Sequence, residues 1–342
     1  VKPAAHISLF AGIGGIDIAA EREGIPTILT AEIDDWCRSL LAKRFPDADH
    51  VADVAHVGHR PKVRGLAPIP RPLLVSGGFP CPGISNAGTK QGLADVRSGL
   101  WSEFDRVIHD LEPEYVLIEN VPALRQRGMD VVLSDLYYAG YDARWDCLPA
   151  SYFGAPHERD RIWIQARRRD VLRFGGDAPL HGRAVLYPVP RGGRMVDGLL
   201  YEEPPQAPLR AVRRGGSRHP SARRDPNCYT GKLWPTPTRA DGTGGPGTSP
   251  KRTGGMNLRT AVVARGWQGS LNPTWVEWLM GFPLGWTDSR ARTKFGYEPW
   301  GRDFLAPTVE RAHERRQRLM ALGNAAVPRV AQHAIQELIR RP

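Results

Sequence analysis

Along residues 1–170, short apolar runs alternate with stretches in which apolar positions recur at helical spacing. His6–Phe10, Thr27–Glu32, Leu73–Gly78, Tyr115–Asn120 and Asp160–Ala166 read as buried strands of a parallel sheet. Between them lie helical patterns, including Asp34 to Phe45 and Gly99 to Leu111. This alternation predicts a doubly wound α/β domain that binds ligands at the carboxyl ends of its strands. Arg302 to Arg341 is helical again, interrupted by a turn at Gly323 to Pro328.

The stretch from Val171 to Ser270 follows neither period. It holds 17 Gly and 12 Pro, in runs such as RRGGSRHPSARR and DGTGGPGTSPKRTGG. A disordered basic linker has that composition. Against it, Trp234, Trp267, Trp275, Trp278, Trp286 and Trp300 place six of the ten tryptophans between 234 and 300. Side chains of that size favour a loop-rich small domain. The expected division is therefore 1–170 plus 303–342 as one body and 171–302 as the other.

Charge sharpens this division. The 342 residues carry a formal net charge of +11. Residues 171–270 alone hold 14 Arg and 2 Lys against 4 Asp and 2 Glu, a net +10, which leaves +1 on the other 242. A near-neutral body carrying a basic insert is suited to gripping phosphate. The four cysteines, Cys37, Cys81, Cys147 and Cys228, are far apart and form no CxxC pair. That argues against a disulfide framework or a zinc site and for a reducing compartment. An apolar run starting at His6 leaves no room for a cleaved signal, and no apolar stretch approaches 18 residues. A soluble cytoplasmic protein is expected.

The first strand runs straight into Phe10-Ala11-Gly12-Ile13-Gly14-Gly15-Ile16. Glycines there allow a tight turn and bring backbone amides close to a ligand at a helix N-terminus. The spacing is not GxGxxG and no Walker lysine follows, so nicotinamide and ATP lose weight. Glu32 ends the next strand, where a carboxylate accepts hydrogen bonds from ribose hydroxyls. Asp53 ends a third segment and could meet an adenine amino group. In that order the signals favour an adenosine-containing ligand.

Leu73 to Gly78 leads into Phe79-Pro80-Cys81-Pro82-Gly83-Ile84-Ser85, so two prolines hold Cys81 on a stiff turn at a strand's carboxyl end. Cys37 and Cys147 read as small buried hydrophobes, and Cys228 has no supporting context. Cys81 reads as a nucleophile, whose thiolate needs cationic neighbours or amide donors. The strand Tyr115 to Ile118 delivers Glu119, beside the Cys81 loop if the two strands are neighbours. Partial burial there raises a carboxyl pKa and suits it to give or take a proton. Arg159 and Arg161, two apart, would face one side of an extended chain and clamp an anion or carbonyl.

The set FAGIGGI, GGFPCPGIS, ENV, HERDRIW and LGNAAVP, in this order and with a long variable gap before the last, resembles the C5-cytosine DNA methyltransferase family. Leu271 to Pro283 resembles that family's penultimate motif, which organises the recognition domain. The resemblance implies a Rossmann-like methyltransferase sheet with a smaller, loop-rich target recognition domain. It implies S-adenosyl-L-methionine as cofactor, S-adenosyl-L-homocysteine as product, and no metal.

By resemblance, Phe10 packs on the cofactor, Gly12 and Gly15 approach it, Glu32 takes the ribose, Asp53 the adenine, and Asn324 completes the pocket. Ala11, Ile13, Ile33, Val54, Gly78, Pro80, Leu100 and Ala325 join that set. Cys81 would attack cytosine C6 while Glu119 supplies a hydrogen bond or proton at N3. Asn120 would support the Cys81 loop. Arg159 and Arg161 would hold the base O2, the adjacent phosphate and the thiolate region. C6 is approached from above the ring, so the base must leave the stack.

The implied partner is double-stranded DNA, bound by a monomer, and pairing with a cognate restriction endonuclease is compatible with the family. Pro82, Ile33, Ala325 and His157 depart from the family pattern, and none of them removes the nucleophile, the acid or the arginines. The alternatives are an RNA cytosine-5 methyltransferase and a non-catalytic DNA-binding relative.

Overall fold

The computed structural model describes residues 2–58, 69–80, 99–169, 192–196, 199–202, 233–243, 256–292, 300 and 306–340. Cys81, Cys228 and most of the basic stretch lie outside them. The strands are β1 Ala5–Leu9, β2 Thr27–Ala31, β3 Asp49–Val51, β4 Leu73–Gly77, β5 Tyr115–Asn120, β6 Tyr141–Pro149, β7 Asp160–Arg168, β8 Gly192–Val196, β9 Leu199–Glu202, β10 Ser270–Leu271 and β11 Thr308–Val309. The helices are α1 Gly15–Arg22, α2 Asp35–Arg44, α3 Leu100–Leu111, α4 Met129–Tyr138, α5 Leu258–Ala264, α6 Pro273–Met280, α7 Arg315–Asn324 and α8 Pro328–Arg340.

Nine of these strands form one sheet in the order β3-β2-β1-β4-β5-β7-β6-β8-β9. β1 pairs in parallel with β2 and β4, and β4 with β5. The last expected strand corrects the all-parallel reading: β7 runs antiparallel to both β5 and β6. The short link from Pro149 to Asp160 leaves no length for a crossover helix, so β7 returns beside β6 in the opposite sense.

Successive strand residues point to opposite faces, and both faces are covered. Leu74, Leu117 and Trp163 pack with Ile16, Ile18 and Leu41, and with Ala331 and Ile335 of α8. Val75, Val116 and Ile118 pack on the other side with Trp101, Phe104, Val132 and Leu136. Trp234, Trp275, Trp278, Trp286 and Trp300 share the first cluster with Ile13, Ile16 and Leu319. The tryptophan-rich stretch is thus packed into the helix layer above the sheet. Among the described residues, no helix is long and apolar enough to cross a membrane.

Chain ends of these elements are set locally. Asp34 caps α2 by accepting from Cys37 N at 2.9 Å. Asn272 caps α6, Pro273 occupies its first turn, and Gly281 ends it at φ 73°. Between α7 and α8 the chain is extended at Ala325, and Pro328 opens the second helix.

Candidate active site

β1 lies between β2 and β4, so the strand order reverses there and a crevice opens at their carboxyl ends. The turn leaving β1 uses positive φ at Phe10 (53°) and Gly12 (57°). Gly12 N donates to Glu32 Oε2 at 2.7 Å and Asp34 N to Oε1 at 2.9 Å, which fixes the Glu32 carboxylate at the end of β2. Each oxygen keeps a lone pair for a further donor.

The two glycines named as approaching a ligand differ. A Cβ on Gly12 would meet nothing within 4 Å, whereas one on Gly15 would stand 2.4 Å from the Ala326 carbonyl oxygen. Gly15 therefore admits the turn between α7 and α8, which carries Asn324 and Ala325 to the same edge. Asn324 is exposed and Ala325 buried. Ile13 is buried and its carbonyl accepts from Trp286 Nε1 at 2.7 Å, so only its main chain borders the crevice.

Ile33 is 73% exposed beside Glu32, and Leu100 is also exposed. Asp53 is exposed at the end of the neighbouring strand, accepting from Ala55 N, while Val54 is buried. Phe10 stacks near Phe104 of α3, with ring centroids 6.4 Å apart. An apolar surface next to a fixed carboxylate and an open glycine turn is a donor set that fits a nucleoside.

The second half of the crevice comes from β4 and β5, where Gly77 pairs with Ile118. A Cβ on Gly78 would come within 2.9 Å of Glu119 Oε2, so the glycine leaves room for that carboxylate. Asn120 Nδ2 donates to Phe79 O at 3.1 Å and Asn120 Oδ1 accepts from Val121 N at 2.8 Å. Phe79 is buried, with Trp101 at 5.3 Å. The chain is anchored up to the exposed Pro80, one residue before Cys81.

β7 enters this edge with its first residues. Arg161 Nε lies 3.0 Å from Glu119 Oε1, an ion pair by distance in which no N–H is aligned on that oxygen. Arg159 stands at φ 33°, outside extended chain, so the alternation premise behind the same-side clamp does not hold, although the charges of Arg161 and Glu119 both act on its guanidinium. Its guanidinium is buried and donates to Pro237 O (3.2 Å) and Gly323 O (3.1 Å). Its backbone N–H donates to Thr236 Oγ1 at 3.0 Å. Burial first and the Arg161 charge second hold its pKa well below the usual value, with Glu119 opposing. Arg159 thus ties the β7 entry to the returning segment 234–238 and to the end of α7. Trp234 N adds a bond to Pro156 O at 2.7 Å.

Sequence reasoning missed the scaffold behind the glycine turn. Glu277 and Arg318 form a fully buried ion pair at 3.0 Å, and Glu277 also accepts from Gly285 N and Thr287 N. Arg44 donates to the carbonyls of Trp286, Asp288 and Ala291. Together they fix the stretch from which Trp286 reaches Ile13. The readable signal was Glu277 inside the apolar run Trp275 to Met280, since a carboxylate there needs a buried partner.

A model of the C-5 cytosine-specific DNA methylase family matches residues 4–179. The chain is 33% identical over 168 residues to the Type II methyltransferase M2.BsuMI of Bacillus subtilis, covering 47% of this chain and 41% of that one. It is 32% identical over 164 residues to the Type II methyltransferase M.NlaX of Neisseria lactamica, covering 46% and 50%. The chain thus spans about half the length of the curated relatives it matches. In fold it is similar to the S. pombe Dnmt2 methyltransferase, with a TM-score of 0.57 at 15% identity over 98% of both chains. It is likewise similar to the Entamoeba histolytica methyltransferase EhMeth, with a TM-score of 0.56 at 14% identity over 99% of both.

Proposed function

The chain belongs to the C-5 cytosine-specific DNA methylase family, and from that premise we propose that it methylates C5 of a cytosine flipped out of duplex DNA. The observation that carries this reading is the convergence at two adjacent strand ends. Gly78 clears space for Glu119, Arg161 stands against Glu119, and Asn120 holds the turn that leads into Cys81.

Glu32, Ile33, Phe10 and Asp53 would hold S-adenosyl-L-methionine, which when bound would supply an electrophilic methyl group. The chain's own residues make cytosine C5 nucleophilic enough to take it. The Cys81 thiolate adds to C6, and Glu119 donates at N3, so the electron pair moves toward C5. After transfer, loss of the C5 proton to a base drives elimination of the thiolate and restores the ring. Arg161 orients Glu119 and offers a donor to the base carbonyl. Base reading falls to the basic stretch before Trp234, and double-stranded DNA is the partner of a monomeric enzyme.

A duplex carrying 5-fluorocytosine tests this, because fluorine at C5 blocks the final elimination. With S-adenosyl-L-methionine, the wild type is expected to form a denaturation-resistant adduct on some duplex, fragmented genomic DNA included, and Cys81→Ala none. Failure of the wild type on every duplex overturns the reading. An adduct on fluorinated RNA alone replaces it with the RNA enzyme, and an adduct with Cys81→Ala overturns the assignment of the nucleophile.

A further inference from the structure

The short turn that carries Asp53 is too small to hold itself. After β3 the chain makes one 3₁₀ turn, Val54–His56, closed by Val57 N donating to Val54 O at 2.9 Å. Asp53 caps it, with Oδ1 accepting from Ala55 N at 2.9 Å. A single turn gains too few hydrogen bonds to offset the entropy of ordering it. Val54 and Val57 are buried in the same cluster as Phe104, Val107 and Ile108, which anchors two side chains and leaves the direction of the turn to be set.

Arg106 of α3 sets it. Its Nη2 donates to Val54 O at 2.9 Å and its Nη1 to Val57 O at 2.8 Å, so one planar fork grips both ends of the turn. The fork is fixed on its own helix by Glu103 Oε2, 2.9 Å from Nε, and by Asp110 Oδ2, 2.7 Å from Nη1. Gly58, at φ 98°, closes on the same group: a Cβ there would stand 2.7 Å from Asp110 Oδ2 and 3.2 Å from Arg106 Nη1. The same helix presents Phe104 to the Phe10 ring at 6.4 Å, so it joins the apolar side of the crevice to its polar edge.

We infer that Arg106 is a positioning residue for the nucleobase end of the cofactor pocket, holding the turn that brings Asp53 to the adenine amino group. This rests on the cofactor reading within the function proposed above. Asp53 Oδ1 is taken by Ala55 N, which leaves Oδ2 to accept from that amino group. When the turn shifts, the carboxylate shifts with it. The preference for adenine over a base carrying an acceptor at the same position is then lost.

The test uses the full chain without DNA and two ligands: S-adenosyl-L-homocysteine and its hypoxanthine counterpart, in which an oxo group replaces the amino group. The wild type is expected to prefer the adenine ligand by at least about tenfold, because the oxo group sets an acceptor against the carboxylate. Arg106→Lys keeps a charge between Glu103 and Asp110 but replaces the fork with one flexible amine. Its affinity for the adenine ligand should fall about tenfold. Its affinity for the hypoxanthine ligand should change by no more than about twofold, so the preference collapses. A residue that merely stabilised the fold would lower both affinities equally, and comparing two ligands on one preparation cancels any loss of folded protein. In an Asp53→Ser background, where a hydroxyl still caps the turn, Arg106→Lys should add no further loss. An unchanged preference in Arg106→Lys, or a full further loss in that background, overturns the role of Arg106. A wild type that binds both ligands equally shows that Asp53 does not read the amino group, and the inference falls with it. A wild type that binds neither overturns the cofactor reading itself.

Discussion

The Glu119 carboxylate occupies the space a side chain on residue 78 would need: a Cβ on Gly78 stands 2.9 Å from Oε2. Because the atom displaced is the end of a flexible side chain, Gly78→Ala should fold. Turnover should drop about ten- to a hundredfold, within the usual contribution of a positioned general acid. Cofactor affinity should change much less. Single-turnover methyl transfer and equilibrium dialysis separate the two, and equal losses would place Gly78 on the cofactor instead.

Trp286 braces the glycine turn through one hydrogen bond, from Nε1 to Ile13 O at 2.7 Å. Trp286→Phe keeps an aromatic ring in the site and strands that carbonyl. A loss of about 1 kcal/mol is expected, which is about fivefold in S-adenosyl-L-methionine affinity by calorimetry. An unchanged affinity would show that the turn holds its shape without the brace.

Three fully buried groups contribute to the pH dependence of stability. Asp17 accepts from Ser8 Oγ at 3.0 Å while its other oxygen has no partner, and burial pushes its pKa from 3.8 to about 7. Between those values the folded protein holds a proton that the unfolded chain releases, so stability falls as pH rises. Burial lowers His6 and His157 from 6.5 to about 3, and over that range the unfolded chain binds the extra protons, so stability rises with pH. Asp17→Asn removes the contribution of Asp17 to the fall and leaves the two histidines in place. The difference in unfolding free energy, variant minus wild type, should grow between about pH 4 and pH 7 by up to about 1.4 kcal/mol per unit, then level off. Urea unfolding across that range measures it, and a flat difference would mean that folded Asp17 is already charged.

All five expected strands and the parallel half of the sheet were legible because continuous apolar runs mark strands buried on both faces. Strand direction was not, since periodicity carries no sense of direction and β7 is reversed only by the shortness of its link to β6. β6 itself was readable and overlooked: Tyr141, Ala143, Trp145 and Cys147 alternate with Asp142, Arg144 and Asp146. At the site, Glu32 and Glu119 were found because strand ends fix where they go. The setting of Arg159 was not legible, because it depends on one residue's φ and on carbonyls from positions 237 and 323, which no local pattern announces.

The tryptophans packed above the sheet also say where a hybrid enzyme could be joined. A cut at residue 302 would separate Trp275, Trp278, Trp286 and Trp300 only by chain position from Ile13, Ile16 and Leu319, with which they share one core, so a segment grafted up to that point would have to rebuild part of that core. Gly323 sets a second constraint, because a Cβ there would stand 2.1 Å from the carbonyl carbon of Thr238, so any donor segment must bring back the same close-fitting backbone. Exchanging residues 203–232 alone keeps Trp234, Pro237 and everything after them native. Specificity transplanted within those limits would leave the described scaffold of the host enzyme intact.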